Sequence, residues 1–167
     1  MVTRGTPALE ALRRAGVDHR VHEYEVADLA GVGRGRRPAY GEDAAQALGV
    51  DPGRIHKTLV ATVDGEFVVA IVPVAGELDL KALSAALHGR RAAMADPADA
   101  ERVTGHVVGG ISPLGQRRRL PTVLDAGALT WPTIFVSAGR RGVQVELAPS
   151  DLASLTSATI APIGHSA

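Results

Sequence analysis

Arg54-Ile55-His56-Lys57-Thr58-Leu59-Val60-Ala61-Thr62-Val63 reads as a β-strand, and the rest of the chain is arranged around it. Side chains alternate across a strand. Ile55, Lys57, Leu59, Ala61 and Val63 therefore share one face, and His56, Thr58, Val60 and Thr62 the other. The more apolar face is the one that carries the lysine. Desolvating an ammonium group is costly unless it is paired. The chain otherwise spends its basic residues on arginine, with 16 Arg against two Lys, Lys57 and Lys81. Two readings are open: Lys57 snorkels to water along its aliphatic stem, or it points into a pocket.

Working outward, Asp64-Gly65 is a two-residue hairpin signal. The return strand Phe67–Val72 is apolar on both faces, which predicts a central place in its sheet. Upstream, Asp51-Pro52-Gly53 is a turn, and Glu42–Leu48 is a short helix closed by Gly49. Residues 28–41 carry Gly31, Gly33 and Gly35 among Arg34, Arg36 and Arg37, and predict a flexible Gly/Arg loop near 29–41. Its G-x-G-x-G lacks the helix and the G-K-[ST] of a phosphate loop. A surface loop is one reading and a basic flap near an anionic ligand the other. Arg20–Val26 alternates as a strand, with His22, Tyr24 and Val26 on one face. Thr6-Pro7 opens a first helix, as N-cap and first helical residue, and Gly16 ends it.

Downstream, Asp79 caps a helix that buries Leu80, Leu83 and Leu87, and Asp96-Pro97 opens another that ends at Thr104-Gly105. His106–Ile111, Thr122–Leu124, Thr133–Val136 and Val143–Leu147 read as strands, Pro149 begins a last short helix, and Ala158–Ile160 reads as a final strand. The prediction is a mixed α/β fold: a barrel-like mixed β-sheet surrounded by short α-helices, in one domain over residues 1–167.

Composition narrows the function. The 167 residues carry no net charge, so no overall field draws the chain to nucleic acid or membrane. There is no cysteine, hence no disulfide framework, thiolate nucleophile or thiolate metal site. With no signal-peptide pattern and no membrane-spanning run, the expectation is a cytoplasmic protein. Aromatic residues, at 3%, are too few for base-stacking platforms. His19 and His22 fall on opposite faces of a strand and no H-E-x-x-H occurs, so neither a metal nor any other cofactor is expected.

Gly109-Gly110-Ile111-Ser112-Pro113-Leu114-Gly115 is the second notable stretch. Paired glycines after an apolar run let a ligand or another backbone approach closely. The segment reads either as a wall of backbone N–H donors or as a bulge and turn. Ser112 is not a nucleophile of the elbow type, because the next residue, Pro113, has no N–H to donate to an oxyanion. Arg90-Arg91, Arg117-Arg118-Arg119 and Arg140-Arg141 read as solvated clusters, or as a cationic rim suited to phosphates if they converge.

Taken together, Val21-His22-Glu23-Tyr24, His56-Lys57-Thr58-Leu59, Val72–Leu80, Met94–Pro97, Val108–Gln116, Leu120-Pro121-Thr122 and Val136–Gly142 closely resemble the YbaK family of aminoacyl-tRNA deacylases, relatives of the editing domain of bacterial prolyl-tRNA synthetases. The resemblance runs from Thr6 to about Leu155. It implies hydrolysis of the ester between a mischarged amino acid and the terminal ribose of tRNA, with Cys-tRNA(Pro) as the substrate. It implies Lys57 as the functional lysine and Gly109 and Gly110 as oxyanion donors. Tyr24, Ile111, Ser112, Pro113, Ser137 and Gln144 would line the substrate pocket. The partners implied are the acceptor end of aminoacyl-tRNA and prolyl-tRNA synthetase. Gln144 stands where the cysteine-specific subgroup leads one to expect an acid, and an amide can only hydrogen-bond. An alanyl-tRNA deacylase and a non-catalytic tRNA- or synthetase-binding module are the alternatives.

Overall fold

The computed structural model describes residues 5–26 and 40–166. In chain order they form α1 (Pro7–Ala15), β1 (His19–Glu23), α2 (Tyr40–Leu48), β2 (His56–Val63), β3 (Glu66–Pro73), β4 (Gly76–Leu78), α3 (Leu80–Ala86), β5 (Ala92–Met94), α4 (Pro97–Thr104), β6 (Thr122–Asp125), a 3-10 turn (Ala126–Thr130), β7 (Ile134–Ser137), β8 (Val143–Leu147), α5 (Pro149–Thr156), β9 (Thr159–Ala161) and β10 (Gly164–Ser166). The mixed α/β class is as expected. The Gly/Arg stretch lies, up to residue 39, outside the described residues, and Tyr40 and Gly41 belong to α2.

Local signals produce these elements. The Thr6 hydroxyl accepts the Leu9 N–H at 3.2 Å and donates to the Ala138 carbonyl at 2.6 Å, so one cap both starts α1 and fastens it to the end of β7. Asp64 and Gly65 turn the β2–β3 hairpin with φ of 51° and 84°. Asp79 caps α3 through the Ala82 N–H at 3.0 Å.

One sheet runs β5-β2-β3-β6-β9 and a second β1-β8-β7, while β10 and β4 form a ribbon. β3 pairs antiparallel with β2 and parallel with β6, the central position its two apolar faces require. The sheets meet at one parallel bridge between Ile55 and Phe135, where the Phe135 N–H donates to the Arg54 carbonyl at 2.9 Å. β7 thus lies along the start of β2, and β5 takes its end at Ala61–Val63. The expected barrel is not closed. Two strands share one edge of β2, so the sheet divides there instead of continuing round.

Each face has its own core. On one, Val60, Val69, Ile71 and Val136 pack with Leu12 of α1 and Val103 of α4. On the other, Ala61, Ala70 and Val72 pack with Leu83 of α3, and Ile55 and Phe135 pack with Ala44 and Ala45 of α2. Each fully buried Ile or Leu stabilises the fold by about 1.5–3 kcal/mol. No helix among the described residues is long and apolar enough to cross a membrane.

One expected strand is absent. His106–Ile111 follows the left-handed Gly105 that ends α4 and runs as an irregular loop. Its N–H groups bond locally rather than to a neighbouring strand: His106 to Thr104 Oγ1, Val108 to Glu101 Oε2, and Gly110 to the Val107 carbonyl. Gly109, with φ of 89°, breaks any extended run. β4, β5 and β10, each three residues long, add to the strands the sequence predicts.

Candidate active site at the junction of the two sheets

Lys57 pairs with Val72 and shares its face of β2 with Ile55 and Leu59. α3 covers that face from Leu59 onward and α2 covers it at Ile55. Lys57 therefore stands, partly buried, in the interval between two helices. Among the described residues its ammonium has neither an ion pair nor a hydrogen bond.

Ser137 follows Phe135 by two residues, as Lys57 follows Ile55 across the bridge. Ser137 pairs with Gln144, and Gln144 with His22. Directly paired residues project from the same side of a sheet, so a polar row of Lys57, Ser137, Gln144 and His22 crosses the junction. Gln144 is 6% exposed, and its Oε1 is buried with no partner among the described residues. Tyr24 donates its N–H to the Gly142 carbonyl at 3.0 Å and packs with the α2–Ile55–Phe135 cluster on this same side. Lys57, Tyr24, Ser137 and Gln144 are thus brought together on one face.

The glycine loop flanks the row. A Cβ on Gly110 would lie 2.8 Å from the Arg141 nitrogen, so only glycine lets the loop rest on the β7–β8 turn that follows Ser137. The Arg141 guanidinium donates twice to the Val108 carbonyl, at 2.9 and 2.7 Å. The donors differ from expectation. Gly110 spends its N–H on the Val107 carbonyl, whereas the N–H groups of Gly109 and Ile111 have no partner among the described residues. Ser112 is 0% exposed: its N–H goes to His106 Nδ1, its hydroxyl accepts from Leu114, and its carbonyl accepts from Gln116. It sits behind the loop rather than on its open side. Pro113 is buried too, and it borders a cavity of about 220 Å³ with Gln116, Arg118, Arg119, Leu155 and Thr156. Neither Lys57, Ser137 nor Gln144 lines that cavity.

At the far end of the row, Glu146 accepts hydrogen bonds from Thr133 Oγ1 at 2.6 Å and His22 Nε2 at 2.9 Å, and pairs with Arg54 at 3.3 Å. Arg54 lies 5.0 Å from the centre of the Phe135 ring, and His22 packs on the same ring at 5.1 Å. Burial pushes the Glu146 carboxyl up, but the bonds from Thr133 and His22 and the charges of His22 and Arg54 outweigh it and hold the pKa below the usual glutamate value. Glu146 is thus held ionised, clamping β1, β8, the approach to β7 and the approach to β2. A depressed folded-state pKa means its contribution is present above the unfolded value of about 4.3 and is lost as pH falls through the folded one. Glu146→Gln should cost roughly 1.5–3 kcal/mol at pH 7. Thermal unfolding at pH 7 and pH 3 checks this, with the gap between the two proteins narrowing at the lower pH.

Glu146 had only its place two residues from Gln144 to mark it in the sequence, and nothing marked Arg54. Among the described residues no three His, Cys, Asp or Glu side chains gather to hold a metal ion. His19 bonds the Val17 carbonyl instead.

Comparison with known proteins agrees with this architecture. The aminoacyl-tRNA editing domain family matches residues 37–155. EbsC of Enterococcus faecalis, provisionally named a Cys-tRNA(Pro)/Cys-tRNA(Cys) deacylase, is 44% identical over 124 residues, covering 73% of this chain and 75% of EbsC. The multifunctional Ser/Thr-tRNA deacylase ProXp-y of Escherichia coli is 32% identical over 118 residues, covering 68% of this chain and 64% of its own. A crystal structure provisionally described as a trans-editing enzyme for prolyl-tRNA synthetase superposes with a TM-score of 0.79 at 26% identity, over 98% of this chain and 99% of the other.

Proposed function

The chain belongs to the aminoacyl-tRNA editing domain family, and on that premise we propose that it cleaves the ester joining a mischarged small amino acid to the 3′ end of tRNA, with Cys-tRNA(Pro) as its substrate. The observation that carries the reading is Lys57: an ammonium without a partner among the described residues, on an apolar strand face, between two helices and in line with Ser137 and Gln144.

The ester needs charge stabilisation more than a strong base. Lys57 supplies a fixed cation near the carbonyl as its oxygen becomes an oxyanion. The N–H groups of Gly109 and Ile111 supply dipoles to the same oxygen. For a cysteinyl ester the nucleophile is the substrate's own thiol. Its sulfur bonds to the carbonyl carbon, the ester C–O bond breaks, and the thiol proton passes to the departing ribose oxygen, leaving free tRNA and a thiolactone. The protein contributes orientation and field. Other esters require attack by water. Net neutrality and few aromatic residues fit recognition of the acceptor end alone, in the cytoplasm, aided by prolyl-tRNA synthetase.

The test is release of labelled amino acid from cysteinyl-, seryl-, alanyl- and prolyl-tRNA(Pro). The proposal expects cysteine to be lost faster than in buffer and proline to be spared. If no ester is lost faster while tRNA still binds, the chain is a non-catalytic binding module. Gln144 gives a finer check. The proposal gives its partnerless Oε1 the substrate S–H, so Gln144→Leu should slow cysteinyl release about fivefold, roughly 1 kcal/mol, and leave alanyl release unchanged.

A further inference from the structure

We propose that His106 is a positioning residue for ester cleavage: its unprotonated Nδ1 takes the Ser112 N–H and thereby holds the Gly109–Pro113 loop beside Ser137. The inference rests on the reading of that loop as a wall of the active site.

His106 begins the loop, and its backbone is fixed to α4. Its N–H donates to Thr104 Oγ1 at 3.1 Å, and that hydroxyl donates to the Ala100 carbonyl at 2.7 Å. The ring is 5% exposed. Its Nδ1 receives the Ser112 N–H at 3.1 Å, closing the loop at its far end. A nitrogen that accepts an N–H bond must offer a lone pair, so the ring is neutral with its proton on Nε2. That Nε2 is buried, has no hydrogen-bond partner among the described residues, and lies 3.7 Å from where a Cβ on Gly139 would stand. Gly139 donates its N–H to Ser137 Oγ at 3.3 Å. The imidazole therefore bonds the exit of the glycine loop and stands close to Gly139, in the turn that follows Ser137. The two N–H groups without partners, Gly109 and Ile111, lie inside the segment it closes.

An imidazolium has no lone pair to offer. Protonating His106 sets an N–H against the Ser112 N–H and releases the loop. Burial keeps the ring's pKa below the ordinary histidine value, against the carbonyls of Gly115 and Ser112, which raise it. The groups set against the ring, Ser112, Gly115 and Gly139, carry no charge. The charged groups on the surrounding elements are engaged nearby: Glu101 and Arg141 with Val108, and Arg117 over Gly105 and on the Arg102 carbonyl. The loop is therefore held at neutral pH and released in acid.

The test compares wild type, His106→Asn and His106→Leu from pH 8 down to the lowest pH at which all three stay folded by thermal unfolding. Asparagine can accept the Ser112 N–H and does not titrate; leucine can do neither. The expected result is a wild-type acid limb in kcat that is absent from His106→Asn, and a loss of about 10- to 100-fold in kcat for folded His106→Leu at every pH, with KM little changed. An unaltered acid limb in His106→Asn, or wild-type kcat in folded His106→Leu, overturns the assignment. Nitrogen NMR of the intact wild-type protein reads the bond without substrate. The ring should show the Nε2–H tautomer, and the Ser112 amide should shift with the His106 titration. An Nδ1–H tautomer overturns the proposal even if ester cleavage stands. The expected tautomer with no ester cleaved leaves the bond intact and sinks the functional reading instead.

Discussion

Lys57→Ala is expected to lower the rate of ester cleavage by at least about 10²–10³-fold for every aminoacyl ester the chain accepts, the scale seen when one preorganised oxyanion partner is removed. The loss should be uniform across esters because the proposed role of Lys57 is at the carbonyl, which all of them share, and not at the amino-acid side chain. Folding should be nearly unaffected. The ammonium makes no ion pair or hydrogen bond among the described residues, and the cores on either side are completed by Leu59 with α3 and by Ile55 with α2. Lys57→Arg should not restore activity. A planar five-donor fork on a different stem places its charge elsewhere, and nothing on the apolar strand face lets it turn. Measuring cysteinyl release beside thermal unfolding separates the two effects. Wild-type rates in Lys57→Ala would remove this lysine from the chemistry.

Gly115→Ala should produce the largest loss of stability. Gly115 has φ of +66°, where a side chain costs about 1–2 kcal/mol. A Cβ there would also meet the backbone of Pro7 and lie 2.5 Å from the Ala8 nitrogen, at the first turn of α1. Backbone cannot move aside as the tip of a side chain can, so the overlap must push α1 away from the core that Ala8, Leu9 and Leu12 fill. Together the two effects come to roughly 3–5 kcal/mol, a large part of the stability of a domain this size. The unfolding temperature should fall by on the order of 10 °C. Gly16→Ala is the control. Gly16 also has positive φ, at 67°, but nothing lies within 4 Å of the added atom, so only the backbone cost should remain.

The contrast between those glycines also shows what the sequence could and could not reveal. Caps and turns act over three or four residues, so Thr6-Pro7, Asp64-Gly65 and Asp79 could be read directly, and each forms the turn or helix start expected of it. The two-sided apolar run of Phe67–Val72 placed β3 at the centre of its sheet for a similarly local reason. His106–Ile111 reads as a strand by its apolar residues, yet its N–H groups are taken by Thr104, Glu101 and Val107. β4, β5 and β10 are too short to show any period.

The site divides along the same line. Strand alternation put Lys57 on the apolar face, and the structure adds why a charge can stand there: two helices leave an interval at that position. The alignment of Lys57 with Ser137 and Gln144 depends on the Ile55–Phe135 bridge, which joins residues 80 apart, and composition carries no trace of it. The same holds for the bond from Ser112 to His106 and for the Arg54–Glu146 clamp. Ser112 enters the expected pocket through the family resemblance of its loop, and its N–H, hydroxyl and carbonyl are all engaged in holding that loop together.

The central claim is that the acceptor end is bound at the junction of the two sheets. The most direct test is amide chemical-shift mapping with a non-hydrolysable analogue of 3′-cysteinyl adenosine. The account predicts perturbations concentrated at Lys57, Gly109, Ile111, Ser137 and Gln144, and lost in Lys57→Ala. Perturbations confined to the cavity lined by Gln116, Arg118, Arg119 and Thr156, unchanged in that variant, would place the ligand elsewhere and contradict it.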